Sequence, residues 1–269
     1  MEADIIRLGL LDDDAILLDA AALEIAAPDH PGVALDPYVE LLGDITERLV
    51  VVGGSAQTTA ERAAALAQVI AGEFGFTGDR DSYDDPGNAD LLRVLDRRRG
   101  LPVTLAILYV AAARRLTWAA DALNTPGHVL VRIGSATQPV LVDPFGDGAP
   151  VAPDDLAALL ARMLGPDAVP GPEHLQPMSN RSVLVRMLLN QASRAEAAGD
   201  ARRARELYRR MTLIAPSHGH GWWERARLEA ASGDVGEARA SLSAMLEVTR
   251  DPAVRLHIFA ALDALSGAA

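Results

Sequence analysis

The chain has neither cysteine nor lysine in its 269 residues. The first absence excludes a disulfide framework, a thiolate metal site and any cysteine nucleophile, and it fits a reducing compartment. The second makes all 25 basic residues arginine. Aromatic residues are scarce at 4%, so alanine and leucine must fill the interior, a composition that favours helices. Long apolar runs are missing too. The longest, LPVTLAILYVAAA from Leu101 to Ala113, has 13 residues and includes a proline and a threonine. A helix that spans a bilayer needs about 20. The N-terminal MEADIIRLGLLDDDA is acidic where an export signal carries basic residues. The expectation is a soluble cytoplasmic protein with no membrane partner.

What is present is acidic and unevenly spread. Residues 1–175 hold 12 Arg against 27 Asp and Glu, residues 176–269 hold 13 against 10, and the whole carries −12. An acidic front argues against nucleic acid as a partner. The length suits one large domain or two ordinary ones.

Apolar residues at three- and four-residue spacing predict helices over about 13–27, 35–49, 57–73 and 88–98. GDRDSYDDPGNAD, Gly78–Asp90, is a polar loop with five Asp. A calcium loop needs a ligand at its fifth position and glycine at its sixth; counted from Asp79, those places hold Tyr83 and Asp84. A turn leading into the next helix is the expectation, with no metal and no cofactor. Arg97, Arg98 and Arg99 read as the last turn of that helix, stopped by Gly100, and Pro102 suits the first turn of the next. The period then changes to two. WAADAL, HVLVRI and PVLVDP read as strands, with Val129, Val131 and Ile133 on one face of the middle one and His128, Leu130 and Arg132 on the other. A helix over about 153–163 follows. GPDAVPGPEHLQP, 165–177, contains four Pro and two Gly and marks the expected domain boundary.

Beyond it the sequence repeats. Gly199 and Gly233 are 34 residues apart, as are Asp200 and Asp234, Ala204 and Ala238, and Met211 and Met245; Leu188, Trp222 and Leu256 keep the same interval. A 34-residue period of paired helices is the tetratricopeptide signature. It predicts two repeats and a capping helix over about 252–265, too few to stand without support. Arg202, Arg203, Arg205, Arg209 and Arg210 surround the core positions Ala204, Tyr208 and Met211 and read as a solvated face, or as one docked on the acidic domain.

The stretches YDDPGNADLLRVLDRRRGLPVTLAILY, PGHVLVR, VDPFGDG and VRMLLN resemble the transglutaminase-like superfamily, and most closely its bacterial SirB-type branch, which joins such a core to tetratricopeptide-like repeats. The resemblance implies an α+β protein. Residues 1–170 would form the transglutaminase-like (papain-like) domain, with a helical part at 1–99 and the core at 100–165. Residues 171–177 would be a linker, and 178–269 the all-α repeats. Active members of the superfamily place a cysteine at the start of the central helix, where the helix end and an imidazolium lower its pKa. Histidine and aspartate follow on adjacent strands. That G-x-C lines up with Gly100-Leu101-Pro102, so proline stands at the nucleophile's position. His128 and Asp143 match the other two members. The G-x-P form is itself typical of the SirB-type branch.

Without sulfur, a hydroxyl would have to attack. Thr104, two residues past Pro102, lies about 200° around the helix and faces away; Ser82 and Ser135 would have to arrive by loop geometry. The resulting expectation is a non-catalytic module that binds a protein or peptide, or scaffolds it. The alternative is a hydrolase or amidase in which a His128–Asp143 dyad activates water. A third reading makes the pair structural. Arg186, Asn190, His220, Trp223 and Arg227 fall on the inner face of the repeats' first helices, where they would hold a peptide unless the acidic domain covers them. His218 and His220 lack a third ligand for a metal and read as a polar turn.

Overall fold

Twelve consecutive residues, Pro102 to Ala113, are buried, and they form one helix. A helix that is apolar all round must be covered on every side, and the rest of the fold around it follows from that demand. The computed structural model describes residues 2–165 and 171–266. Its helices are α1 (Glu2–Leu10), α2 (Leu18–Ala26), α3 (Asp36–Gly53), α4 (Thr59–Ala67), α5 (Leu91–Arg97), α6 (Pro102–Arg115), α7 (Pro153–Leu164), α8 (Asn180–Ala197), α9 (Ala201–Ile214), α10 (Gly219–Ala231), α11 (Val235–Val248) and α12 (Pro252–Ser266). Its strands are β1 (Thr77–Gly78), β2 (Arg99–Gly100), β3 (Ala120–Leu123), β4 (Leu130–Ile133), β5 (Val140–Asp143) and β6 (Ala149–Pro150). The α+β class expected from the sequence holds. No helix among the described residues is long and apolar enough to cross a membrane.

The protein divides into two units, residues 13–187 and residues 2–12 with 188–266. In the first, α2, α3, β3 and β4 wrap α6. Strands β3 to β6 form an antiparallel sheet in sequence order, with Ala120 opposite Ile133, Val131 opposite Val142 and Asp143 opposite Ala149. Leu123, Leu130, Leu156 and Leu160 pack α7 onto that sheet. Local chemistry starts the helices. Thr58 and Glu61 form a capping box at α4, Asp90 accepts Arg93 N–H at the start of α5, and Pro102 opens α6 where a missing N–H costs nothing.

Three details depart from the pattern expected of the sequence. Helix α5 stops at Arg97, not at Gly100, because Arg98 takes a left-handed φ of 57°; Arg99 and Gly100 then pair with Thr77 and Gly78 as a short parallel bridge. The strand carrying His128 begins only at Leu130, and His128 sits on the preceding turn with its N–H bonded to Thr125 O. The 171–177 segment, expected as a linker, joins the sheet edge at its end: Asn124 N–H donates to Gln176 O and Met178 N–H to Ala122 O. The compact units part within α8, between Met187 and Leu188. Residues 166–170 of the Pro/Gly-rich stretch lie outside the described residues.

The polar loop before α5 closes on itself. Arg97 reaches Asp79 at 2.8 Å, Asp85 at 3.2 Å and Asn88 Oδ1 at 3.3 Å, and Asn88 Nδ2 donates to Ser82 O at 2.7 Å. Burial by itself would raise the Asp79 carboxyl, but the Ser82 N–H, the Asn88 side chain and the Arg97 charge outweigh it and hold Asp79 below the usual 3.8. A carboxylate with a depressed folded pKa stabilises above its unfolded pKa and loses that contribution as pH falls through the folded value. The melting temperature should therefore be flat near neutrality and fall below about pH 4. Asp79→Asn should melt lower than the native protein at pH 7, with the gap narrowing toward pH 3. Circular dichroism melts across pH read both, and a constant gap would refute the assignment.

In the second unit, α1 packs against α9, and α10 against α9 and α11. Gly199 and Gly233, 34 residues apart, both have positive φ, at 76° and 83°, and each ends a helix. Ala204, Ala238, Met211 and Met245 are all buried. Leu256, the third member of the Leu188–Trp222 series, is 71% exposed on α12. Arg210 corrects the expectation of a fully solvated arginine face, because it is buried with its Nε 3.1 Å from Glu206.

Candidate functional site

Two strand-end turns build the site. Asp143 ends β5 and caps the short 3₁₀ turn Pro144–Gly146, accepting Phe145 N–H on Oδ1 at 3.0 Å. His128 Nε2 lies 2.7 Å from the same oxygen, with the imidazole 12% exposed. With the carboxylate oxygen accepting, Nε2 is the donor of this bond, and Nδ1 takes no part in the pair. Phe145 stands edge-on to the imidazole at 6.0 Å, Tyr83 stands edge-on to Phe145 at 5.6 Å, and the Arg80 guanidinium lies 5.7 Å over the Phe145 ring. The site thus presents an imidazole nitrogen beside an aromatic pair and a cation. Gly78 permits the approach of Phe145, since a Cβ there would lie 2.5 Å from Phe145 O.

Of the hydroxyls weighed as nucleophiles, those of Thr104 and Ser135 are committed elsewhere. Thr104 is fully buried and donates to Asn88 O at 2.8 Å, with Leu101 O at 3.0 Å. Ser135 Oγ pairs with Thr137 at 2.8 Å, whereas Ser82, an exposed residue, is held in the Asp79–Asn88 loop through its backbone N–H and carbonyl. Pro102 holds the first helical position of α6, with no side-chain cap on the helix. Tyr109, further along α6, is fully buried, and its hydroxyl has no hydrogen-bond partner. Burial first, then the Asp147 and Asp143 charges, raise its pKa well beyond the usual range.

Arg186 occupies a different place from the repeat groove assigned to it by spacing. Its Nη1 donates to Asn124 Oδ1 at 2.8 Å, and its Nη2 to Thr125 O at 3.0 Å and His128 O at 2.6 Å. It braces the turn that carries His128. Burial lowers its pKa, and the guanidinium remains charged. The other four predicted groove residues lie in the second unit. Asn190 accepts from Arg194 at 3.1 Å, and His220 stands edge-on to Tyr208 at 6.3 Å. Arg227 binds Glu224 at 2.6 Å and also Glu196. Trp223 stacks on His257 at 4.7 Å, and together with Arg227 lines an apolar cleft of about 220 Å³ closed by Leu242 and Leu265. His218 and His220 rings are 6.4 Å apart, and no group of three metal-ligating side chains forms among the described residues.

A second histidine–aspartate pair has the same separation at a helix cap. His30 Nε2 lies 2.7 Å from Asp90 Oδ2, and Asp90 is the cap of α5. Distance alone therefore does not distinguish a dyad from a brace. What sets His128 apart is the aromatic surround and the Arg186 clamp, neither of them predicted by sequence spacing. The DPF run after β5 held the only signal for Phe145, and none pointed to Arg186.

A buried helix packed on an antiparallel sheet, with histidine and aspartate joined at the strand ends, defines a helix-and-sheet protein of the expected class. The protein belongs to the Transglutaminase-like superfamily, whose pattern matches residues 36–189. Among curated relatives, a UPF0162 protein of Xylella fastidiosa (strain 9a5c) is 29% identical over 244 residues, covering 90% of this chain and 87% of that protein. The human F-box only protein 21 is 31% identical over 81 residues, which is 30% of this chain and 13% of that protein. Among solved structures, menin aligns over 91% of this chain and 68% of its own at 13% identity and a TM-score of 0.37, too low to bear on the fold.

Proposed function

We propose that the protein is a non-catalytic member of its superfamily that binds a protein or peptide partner, with its helical C-terminal part acting as a short tetratricopeptide-like array. The observation that carries this reading is the start of α6. Pro102 offers no nucleophile there, and the hydroxyl of Thr104 is buried against backbone carbonyls. The recurrence of Gly199 and Gly233 at matching helix ends supports the array, and the cleft beside Trp223 and Arg227 supplies an apolar seat with a cation at its edge. The His128–Asp143 contact favours a second reading. In the neutral imidazole, Nδ1 can take a proton from water, as a hydrolase or amidase needs.

His128→Ala and Trp223→Ala separate the two. On the binding reading, a partner recovered with the purified full-length protein binds His128→Ala within twofold of native, and binds Trp223→Ala at least tenfold more weakly, a loss in the range of an interface anchor. On the hydrolytic reading, native protein turns over ester and amide substrates repeatedly and His128→Ala does not. Deleting residues 178–269 is the wrong test, because it removes Asn180 and Arg186, which belong to the first unit's own bonding.

A further inference from the structure

Helix α12 is firmly seated on one side and bare on the other. Ile258 is fully buried with Ala226, Leu242 and Met245. Arg255 fastens the start of the helix, its Nη1 donating to Leu246 O at 2.7 Å and to Thr249 O at 2.8 Å. The outward face carries Leu256, 71% exposed, with Ala260 and Asp263 beside it, both exposed. Phe259, at its margin, is 47% exposed. The terminal helix of a repeat array needs a polar outer face to stay soluble. This one offers a leucine, a phenylalanine and a single carboxylate.

The 34-residue interval shows what such a face meets elsewhere in the chain. Leu256, Ala260 and Asp263 stand one interval beyond Trp222, Ala226 and Glu229 of α10. There, Trp222 and Ala226 pack with Leu242 and Met245 of α11, and Glu229, 3% exposed, accepts the Ser241 hydroxyl at 2.7 Å. Helix α11 follows α10 after the tight turn at Gly233 and so runs antiparallel to it. On α8, Leu188 and Ala192 are fully buried at the same places. Among the described residues no helix follows α12, and no hydrogen bond or ion pair reaches Asp263. The face is repeated a third time without the helix that covers it.

We propose that this face docks one amphipathic helix of a partner protein, added antiparallel to α12 as α11 is to α10. The chemistry of that helix follows from α11. It has a small residue in the place of buried Ala238 and an aliphatic residue in the place of Leu242. In the place of Ser241 it has a hydroxyl or basic side chain, which bonds Asp263 as Ser241 bonds Glu229. A second copy of α12 would bring its own Asp263 into the interface and no donor for it, because Arg255 is already engaged. The inference rests on the repeat reading proposed above and gives its partner a chemistry. Its surface is separate from the Trp223 cleft, which neither Leu256 nor Asp263 lines.

The probe is the chain's own covering helix: an end-capped, fluorescein-labelled peptide of residues 234–250, DVGEARASLSAMLEVTR, titrated with the full-length protein. Its polarisation should rise to saturation below about 1 mM. Leu256→Asp alters an exposed side chain, which spares the fold, and should weaken the peptide at least about tenfold, the loss of an interface anchor. Ser241→Ala in the peptide should weaken binding several-fold to the native protein and not at all to an Asp263→Ala protein. Trp223→Ala should leave peptide binding unchanged. A partner lost by Trp223→Ala, with no peptide binding to the native protein, therefore refutes this inference and leaves the cleft reading standing. No saturation by about 1 mM overturns the proposal. So does a Leu256→Asp protein that binds the peptide as the native protein does, the result expected if the peptide merely displaced α11. A sedimentation mass of twice 28.4 kDa that Leu256→Asp halves also overturns it, by assigning the face to a second copy.

Discussion

Gly148→Ala should cost the protein about 2–5 kcal/mol, from left-handed strain of about 1–2 kcal/mol and overpacking of about 1–3 kcal/mol. The midpoint of thermal unfolding should drop by about 10 °C. Gly148 has a φ of +77°, and a Cβ there would lie 2.3 Å from the Tyr109 hydroxyl and 2.8 Å from the Ala67 methyl. Tyr109 cannot swing aside, because it is fully buried on α6. The effect reaches the site. Gly148 N–H donates to Asp143 O at 2.8 Å, so moving this residue shifts the carboxylate that fixes His128. Asp147, its neighbour at φ 62°, gives an internal control: Asp147→Gly relieves strain and should be neutral or slightly stabilising. Calorimetric melting together with the imidazole nitrogen shifts of His128 reads both consequences. A Gly148→Ala protein that melts within about 2 °C of native, less than 1 kcal/mol at this size, would contradict the crowding described for that turn.

Gly9→Ala should act comparably in the other unit. Its Cβ would lie 2.1 Å from Leu213 O, a backbone atom of α9, so α1 has to lift away. Ile5 and Leu8, both buried, would then lose cover, at about 1.5–3 kcal/mol each. A protein without lysine gives trypsin only arginines to cut, and Arg7 lies on this helix. Limited tryptic digestion should cut at Arg7 several times faster in Gly9→Ala than in the native protein. Unchanged cleavage there, with an unchanged melt, would refute the tight seating of α1.

How much of this was legible depended on sequence distance. Helices with local signals were readable nearly to their ends: apolar spacing over about 57–73 announced α4 and the turn after it, and Pro102 announced α6. The strands showed through their alternation at Val129, Val131 and Ile133, although alternation cannot tell a strand residue from the turn before it, and His128 proved to be on the turn. Helix α1 went unread because its nine residues carry a short apolar pattern and its partner, Leu213, stands far along the sequence. The same holds for Arg186. Helical spacing put it in line with Asn190 and His220, but spacing says nothing about a turn 58 residues earlier whose carbonyl at His128 claims the guanidinium. The proximity of His128 and Asp143 was readable only through family likeness, since nothing local joins two residues 15 apart on separate turns.

Helix α6 touches each of these places. Near its first turn, Leu101 N–H and the Thr104 hydroxyl both bond Asn88 O and so anchor the acidic loop. At mid-length Tyr109 backs the turn that presents Asp143, and its last two residues, Arg114 and Arg115, hold Asp121 and Asp19. One stiff rod acts as a ruler for three features that the sequence itself scatters over a hundred positions. Evolution can exchange the furniture at any one mark, but lengthening or shortening the rod by a single residue would rotate every later mark by about 100° and dismantle all three together.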